Sequence, residues 1–293
     1  MTNNKTNYIK DKYWRSTVKR YYIASIILSI ICDALLLYFG FFFIKGAQNR
    51  ELVSDLFSLK ASTLDYLESF GGAFSIFLIL WQTAKIILSF INAEIHASSL
   101  DIFVSEKQFP ELLEIEKEYA KKLKIETIPK LYVKSRSSEE IIVDGIYLKN
   151  STIIRLGVEC VSTAVFNDYL IARFVIARKL AAIALGVNNP FYYTLTLFSN
   201  WIPIFNKARD RALGYTLDKI VSDVIGERRA IEGIIATSYS PVMSKLIDMD
   251  EYIENAKKVS KFKEARIENI RSSRPVISYR IVALLNKENG KIF

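Results

Sequence analysis

A run from Tyr21 to Ile44, apolar apart from Asp33, is the strongest constraint on how this chain can fold. A bilayer's hydrocarbon core is crossed by a helix of about 20 apolar residues, so this run is long enough to span it. A second run, roughly Phe70 to Asn92, is interrupted by Gln82 and Lys85. The first run is too long for a removed signal peptide, and no small-residue cleavage site follows it.

Lys5, Lys10, Lys12, Arg15, Lys19 and Arg20 crowd ahead of the first run, opposed there by Asp11. The stretch 46–69 between the runs carries Arg50 and Lys60 against Glu51, Asp55, Asp65 and Glu68. Basic flanks stay in the cytoplasm. The sequence therefore predicts a basic cytoplasmic N-terminus over 1–20 and a transmembrane hairpin over 21–92, with spans at about 21–44 and 70–92. The residues from 93 to 293 follow as a cytoplasmic domain, and the protein is multi-pass in the cell membrane. The net charge of +9 suits an anionic membrane surface. Nucleic acid is not the expected partner, because the basic residues are not interleaved with exposed aromatics. The two cysteines, Cys32 in a span and Cys160 in the domain, are expected as reduced thiols.

Asp33 and Lys85 are the ionisable residues inside the runs, where charge is costly and usually faces a partner. At 1.5 Å rise per residue they lie at depths of roughly 18 and 10 Å from the inner face. Helical side chains lean toward their own N-terminus, which carries Lys85 outward toward Asp33 and favours an ion pair within the hairpin. Alternatives are a snorkelling Lys85 with a protonated Asp33, or a pair that serves a membrane sensor or transport accessory.

Beyond residue 108 the pattern predicts an α+β, mostly helical domain. Pro110-Glu111 opens a helix whose Leu112, Ile115, Glu116, Tyr119, Ala120 and Leu123 share one face. Stretches 130–134, 141–148 and 152–156 read as strands of a small antiparallel sheet, with Asp144-Gly145 and Lys149-Asn150-Ser151 as turns. Helices follow over 167–183 and 207–225. Between them, 190–205 is aromatic, apolar and too short to span comfortably. An interfacial or re-entrant hairpin suits it, with a core segment or a partner-binding patch as alternatives. From Asp248 a charged amphipathic helix carries Lys257, Lys258, Lys261, Lys263, Arg266 and Arg271, a solvated face or a contact for anionic headgroups.

Three segments together resemble the HtpX-like and CAAX prenyl endopeptidase family of membrane zinc metallopeptidases. Arg211-Ala212-Leu213-Gly214-Tyr215-Thr216-Leu217-Asp218-Lys219-Ile220 is similar to that family's R-A-R-E-Y-T-C-D-R-I helix. The segment Ser273 to Leu284, with Arg274-Pro275 and Arg280-Ile281, is similar to its S-H-P-x-x-x-x-R-I-x-x-L segment. Phe174 to Ile183 is similar to its H-E-x-x-H helix in the apolar positions alone. The resemblance implies a gluzincin-like, metallopeptidase-type domain.

The departures fall on the chemistry. Such a site needs two imidazoles one helical turn apart to hold zinc, and a glutamate to take a proton from the metal-bound water. Here Arg178 and Ala182 stand at the histidine positions and Lys179 at that of the glutamate. Gly214 stands at the third ligand position and Arg274 at the C-terminal histidine. Asp218 matches the family's supporting acid and, with no ligand to support, is expected to pair with Arg178 or Arg211. Arginine keeps its proton and cannot ligate. The chain has a single histidine, His96, at the membrane edge. These substitutions predict no catalytic residues, no bound metal or other cofactor, and a pseudopeptidase rather than an enzyme. It would hold a peptide or membrane protein in a groove lined by 175–183 and 211–218. The alternative is an active hydrolase with an unfamiliar ligand set such as Asp210, Asp218 and Glu159.

Overall fold

The computed structural model describes residues 12–13, 16–45, 77–78, 80–81, 84, 101–134, 145–148, 151–162, 169–187, 202–239, 241–290 and 292. Side chains at some of these positions, Asp33 among them, lie outside the description. In chain order the elements are α1 (Ser16–Lys45), β1 (Ile102–Phe103), α2 (Pro110–Lys122), β2 (Lys130–Lys134), β3 (Gly145–Leu148) and β4 (Ser151–Gly157). Helices α3 (Val158–Ser162), α4 (Leu170–Leu185), α5 (Pro203–Ile225), α6 (Glu227–Ser238) and α7 (Pro241–Ser244) come next. Helices α8 (Met249–Val259), α9 (Lys263–Arg271) and α10 (Ile277–Leu285) complete the set. The described chain is mostly helical with one small sheet.

Helix α2 forms where the sequence places it. Pro110 sits in the first turn, where its missing N–H is not needed, Glu111 faces the positive end and Lys121 and Lys122 the negative end. The buried face is Leu112, Ile115, Glu116, Tyr119 and Ala120. The sheet is mixed rather than antiparallel. Its order is β1-β2-β4-β3, with β2 parallel to β4 and both outer pairs antiparallel. The β3–β4 hairpin docks through β4, setting Leu131 beside Ile154 and Val133 beside Leu156. All four are buried, so alternation fixes which faces point inward, while the direction of pairing follows from which hairpin strand meets β2. The short edge strand β1 was not expected from the sequence. It is tied to the sheet by the ion pair of Asp101 with Arg155 of β4.

Helix α4 is the centre of the core. It packs on α5, α6 and α2 at once, so it is apolar nearly all round, from Ile171 and Phe174 to Leu180 and Leu185. Gly186, at φ 69°, closes it in the left-handed conformation. Helix α6 crosses α4 at Gly233, where a Cβ would lie 2.6 Å from the Phe174 ring. The single amphipathic helix expected from Asp248 is two helices, α8 and α9. The chain turns over 260–262, where the Ser260 hydroxyl donates to the Lys257 carbonyl and Phe262 is extended.

Helix α1 lies antiparallel against α5. The Tyr13 hydroxyl donates to Asp223 (2.5 Å), Val18 and Tyr22 pack on Ala212, and Arg209 sits over the Tyr22 ring. Further along α1, Ile23, Ile27, Ile30, Ile31, Leu35 and Tyr38 are exposed. Among the described residues no helix is long and apolar enough to cross a membrane. The side chains at 33, 36, 37 and 39–45, and nearly all of 70–92, fall outside the description. The transmembrane hairpin is therefore not part of the described structure. The same holds for 190–201, whereas Pro203–Phe205 form the first turn of α5 with Ile204 69% exposed.

Candidate functional site

Of the residues singled out between 174 and 284, Arg178, Gly214 and Asp218 come together. Helices α4 and α5 pack face to face, and the stretch from Ser272 to Val276 lies across α5. Arg178 Nε of α4 is 3.5 Å from Asp218 Oδ1 of α5. Asp218 is also held by Arg280 of α10, whose Nε and Nη2 donate to its two oxygens at 2.6 and 2.8 Å. A two-pronged guanidinium–carboxylate contact of this kind is the strong form of the interaction. Asp218 and Arg280 are both buried.

At Gly214 a Cβ would lie 2.9 Å from Pro275 Cδ, 3.1 Å from Pro275 Cγ and 3.6 Å from Arg178 Nη2. The glycine is there because the Pro275 ring occupies the space a side chain would need, so a glutamate ligand at 214 has no room. Ala182, one turn along α4 from Arg178, is buried, while Lys179 is partly exposed and Arg274 exposed.

Arg211 places Pro275. Its side chain is buried and donates to the carbonyl oxygens of Ile270 (2.9 Å), Ser272 (2.6 Å) and Ile292 (3.0 Å). Asn269 accepts from the Val276 amide at 3.1 Å. Arg211 thus spends its donors on backbone, and the acid expected to pair with it or with Arg178 takes Arg280 as its main partner. Arg280 lies in a segment already singled out, as a buried cation facing a buried acid. Reading the two motifs as charge partners would have found it.

The electrostatics follow from the packing. Burial alone would raise the Asp218 carboxyl, but the charges of Arg280 and Arg178 and the Arg280 hydrogen bonds outweigh it and hold the group below the usual carboxylate range. Burial lowers Arg178 to about 10, with Arg280 and Arg274 pushing the same way against Asp218. A cavity of about 160 Å³ opens beside the Asp218–Arg280 pair, lined also by Tyr215, Lys219, Leu284 and Lys287.

Two expectations are corrected. The groove along 175–183 and 211–218 is closed, because the facing sides of α4 and α5 are packed core. Of those residues Arg178, Lys179, Ile183 and Leu213 keep partial exposure. Nor do Asp210 and Asp218 converge on one ion. They are eight positions apart on α5, about 12 Å of rise, and Asp210 is held by Arg209 at 3.3 Å. The Glu159 side chain is outside the described residues, among which no group of three or more ligating side chains occurs. Lys85 is not described and Asp33 only through the backbone of α1, so their pairing lies outside the description. Lys257, Lys258, Lys261, Lys263, Arg266 and Arg271 are all exposed, with Phe262, Ile267 and Ile270 exposed among them. No family model, curated protein or solved structure matches this chain.

Proposed function

We propose that the protein is a membrane-anchored pseudopeptidase, a non-catalytic relative of the HtpX-like metallopeptidases that binds a peptide or membrane-protein partner without cutting it. One observation carries this reading. Arg178, Gly214 and Asp218, three of the positions that the resemblance assigns to the zinc site, lie together, and the Arg178 and Arg280 guanidinium groups and the Pro275 ring fill the space around them. A fixed cation repels Zn²⁺ and offers it no lone pair. With the groove between α4 and α5 closed, the partner binds at the rim formed by Arg178, Lys179 and Arg274.

Anchoring is supported by the exposed apolar side chains of α1 from Ile23 to Tyr38, which water does not favour. Helix α9 adds a weaker support: on its outward side Ile267 and Ile270 stand among Lys263, Arg266 and Arg271, a composition suited to anionic headgroups.

Metal analysis of the purified full chain tests the central claim. Zinc well below one equivalent, with no peptide hydrolysis before or after zinc addition, is the expected outcome. Stoichiometric zinc that leaves together with an activity on chelation would overturn it in favour of a hydrolase. Loss of cellular function on replacing Asp33 and Lys85, but not Arg178 and Arg274, would favour a sensor or transport role.

A further inference from the structure

The charges at this site do not balance. Arg178 and Arg280 share the one carboxylate of Asp218, and Arg274 adjoins the Pro275 that packs on Gly214. Arg280 takes both Asp218 oxygens with short hydrogen bonds, leaving Arg178 one longer contact, Nε to Oδ1 at 3.5 Å. Among the described residues the Nη1 and Nη2 groups of Arg178 have no hydrogen-bond partner, although its side chain is about three-quarters buried. A guanidinium carries five N–H donors in a planar fork that fits an oxyanion with two parallel bonds. Leaving such a group partly desolvated and unneutralised is costly, and a site in this state binds an anion in preference to a cation or a neutral group.

We propose that Arg178, with Arg274 beside it, forms an oxyanion-binding site that takes a carboxylate or phosphate group. The guest is either a small free anion or the anionic end of a polypeptide. Arg178 supplies the fork from the rigid central helix. Arg274 supplies a second, solvent-facing cation from the segment that Arg211 pins. Asp218 and Arg280 act as positioning residues, since their pairing holds the Arg178 stem and keeps Asp218 from neutralising it fully. The inference rests on the binding role proposed above and names the chemistry that the site recognises.

The test uses the full chain in detergent, titrated with acetate, inorganic phosphate, a short peptide with a free C-terminal carboxylate and the same peptide amidated. Chloride matches ionic strength throughout, and melting temperature and calorimetric binding are read. At least one oxyanion should raise the melting temperature saturably, with Arg178→Gln weakening that binding roughly tenfold or more, the loss typical of a charged hydrogen-bond partner. Tightest binding of the free-acid peptide, with the amide weak, identifies a polypeptide end. Tightest binding of phosphate identifies a free or phosphate-bearing anion. No response beyond chloride overturns the proposal, as does undiminished binding in both Arg178→Gln and Arg274→Gln. Should Arg178→Gln fail to fold, Arg274→Gln decides, because that side chain is exposed and its loss leaves the core intact. A failed titration with zinc-free protein removes this inference alone, whereas stoichiometric zinc removes the pseudopeptidase reading.

Discussion

Asp218 is the residue on which α4, α5 and α10 converge, and its contribution to stability has a definite sign in pH. Its folded carboxyl lies below the usual range, so the native state binds fewer protons than the unfolded chain near pH 4. That contribution is present above the unfolded value of about 3.9 and is lost as pH falls through the depressed folded value. Asp218→Asn leaves the buried Arg280 without its counter-charge and should cost about 3–5 kcal/mol in denaturant unfolding. Asp218→Leu combined with Arg280→Met should cost less than the sum of the two single changes, because neither charge then remains buried alone. Glu116 has the opposite sign. It is fully buried on α2, both carboxylate oxygens lack a partner among the described residues, and burial pushes it up to about 8. Its stabilising, protonated form is complete below the unfolded value of about 4.3 and is lost as pH rises toward 8, by up to about 1.4 kcal/mol per pH unit. Glu116→Gln should flatten the stability profile between pH 5 and 8, and an unchanged slope in pH-dependent melts would refute the assignment.

At the scale of elements, Gly233 reports how closely α4 and α6 approach. At Gly233 the Phe174 ring lies 2.6 Å from where a Cβ would be, and ring and backbone are both core. Gly233→Ala should therefore destabilise by about 1–3 kcal/mol through overpacking, and Phe174→Leu in the same chain should recover part of that loss. Additive losses in the double variant would mean that α4 and α6 do not meet there. The same elements show what a sequence carries. Helix α2 is legible because proline, charge bias and a buried stripe agree over its whole length, and α4 and α5 because long apolar or motif-bearing stretches admit few other states. The parallel pairing of β2 with β4 is not legible, since alternation specifies a face and not a neighbour. Strand β1 is too short to show a period. The break between α8 and α9 is hidden because helical residues continue on both sides of Ser260. At the site, Arg178, Gly214, Asp218 and Arg274 are singled out by the sequence. The Arg280 partner and the Pro275 ring over Gly214 arise from tertiary contact between distant segments.

For the molecule as a whole, the proposed anchoring predicts that the Arg178–Arg274 rim faces the cytoplasmic side of the bilayer. Under the proposed anchoring, the lysines and arginines ahead of Tyr21 hold the N-terminus inside, and two crossings would return the chain to the same side. The packing adds an independent constraint. Helix α1 runs antiparallel to α5, with Tyr13 at Asp223 and Tyr22 at Arg209, so the exposed apolar part of α1 extends from the end of α5 that begins at Pro203. A domain anchored through the exposed face of α1, as proposed, would have its Asp223 end farthest from the bilayer, on the side where the basic N-terminus lies. Single cysteines introduced into a Cys32→Ser, Cys160→Ala background read this directly. A cysteine at Ser58, between the apolar runs, should react with a membrane-impermeant maleimide in intact cells, and one at Arg274 or Asp223 only after permeabilisation. Labelling of the Asp223 position in intact cells would invert the topology and place the oxyanion rim outside. Equal labelling of all three without permeabilisation would mean that no membrane separates Ser58 from the domain, against the proposed hairpin.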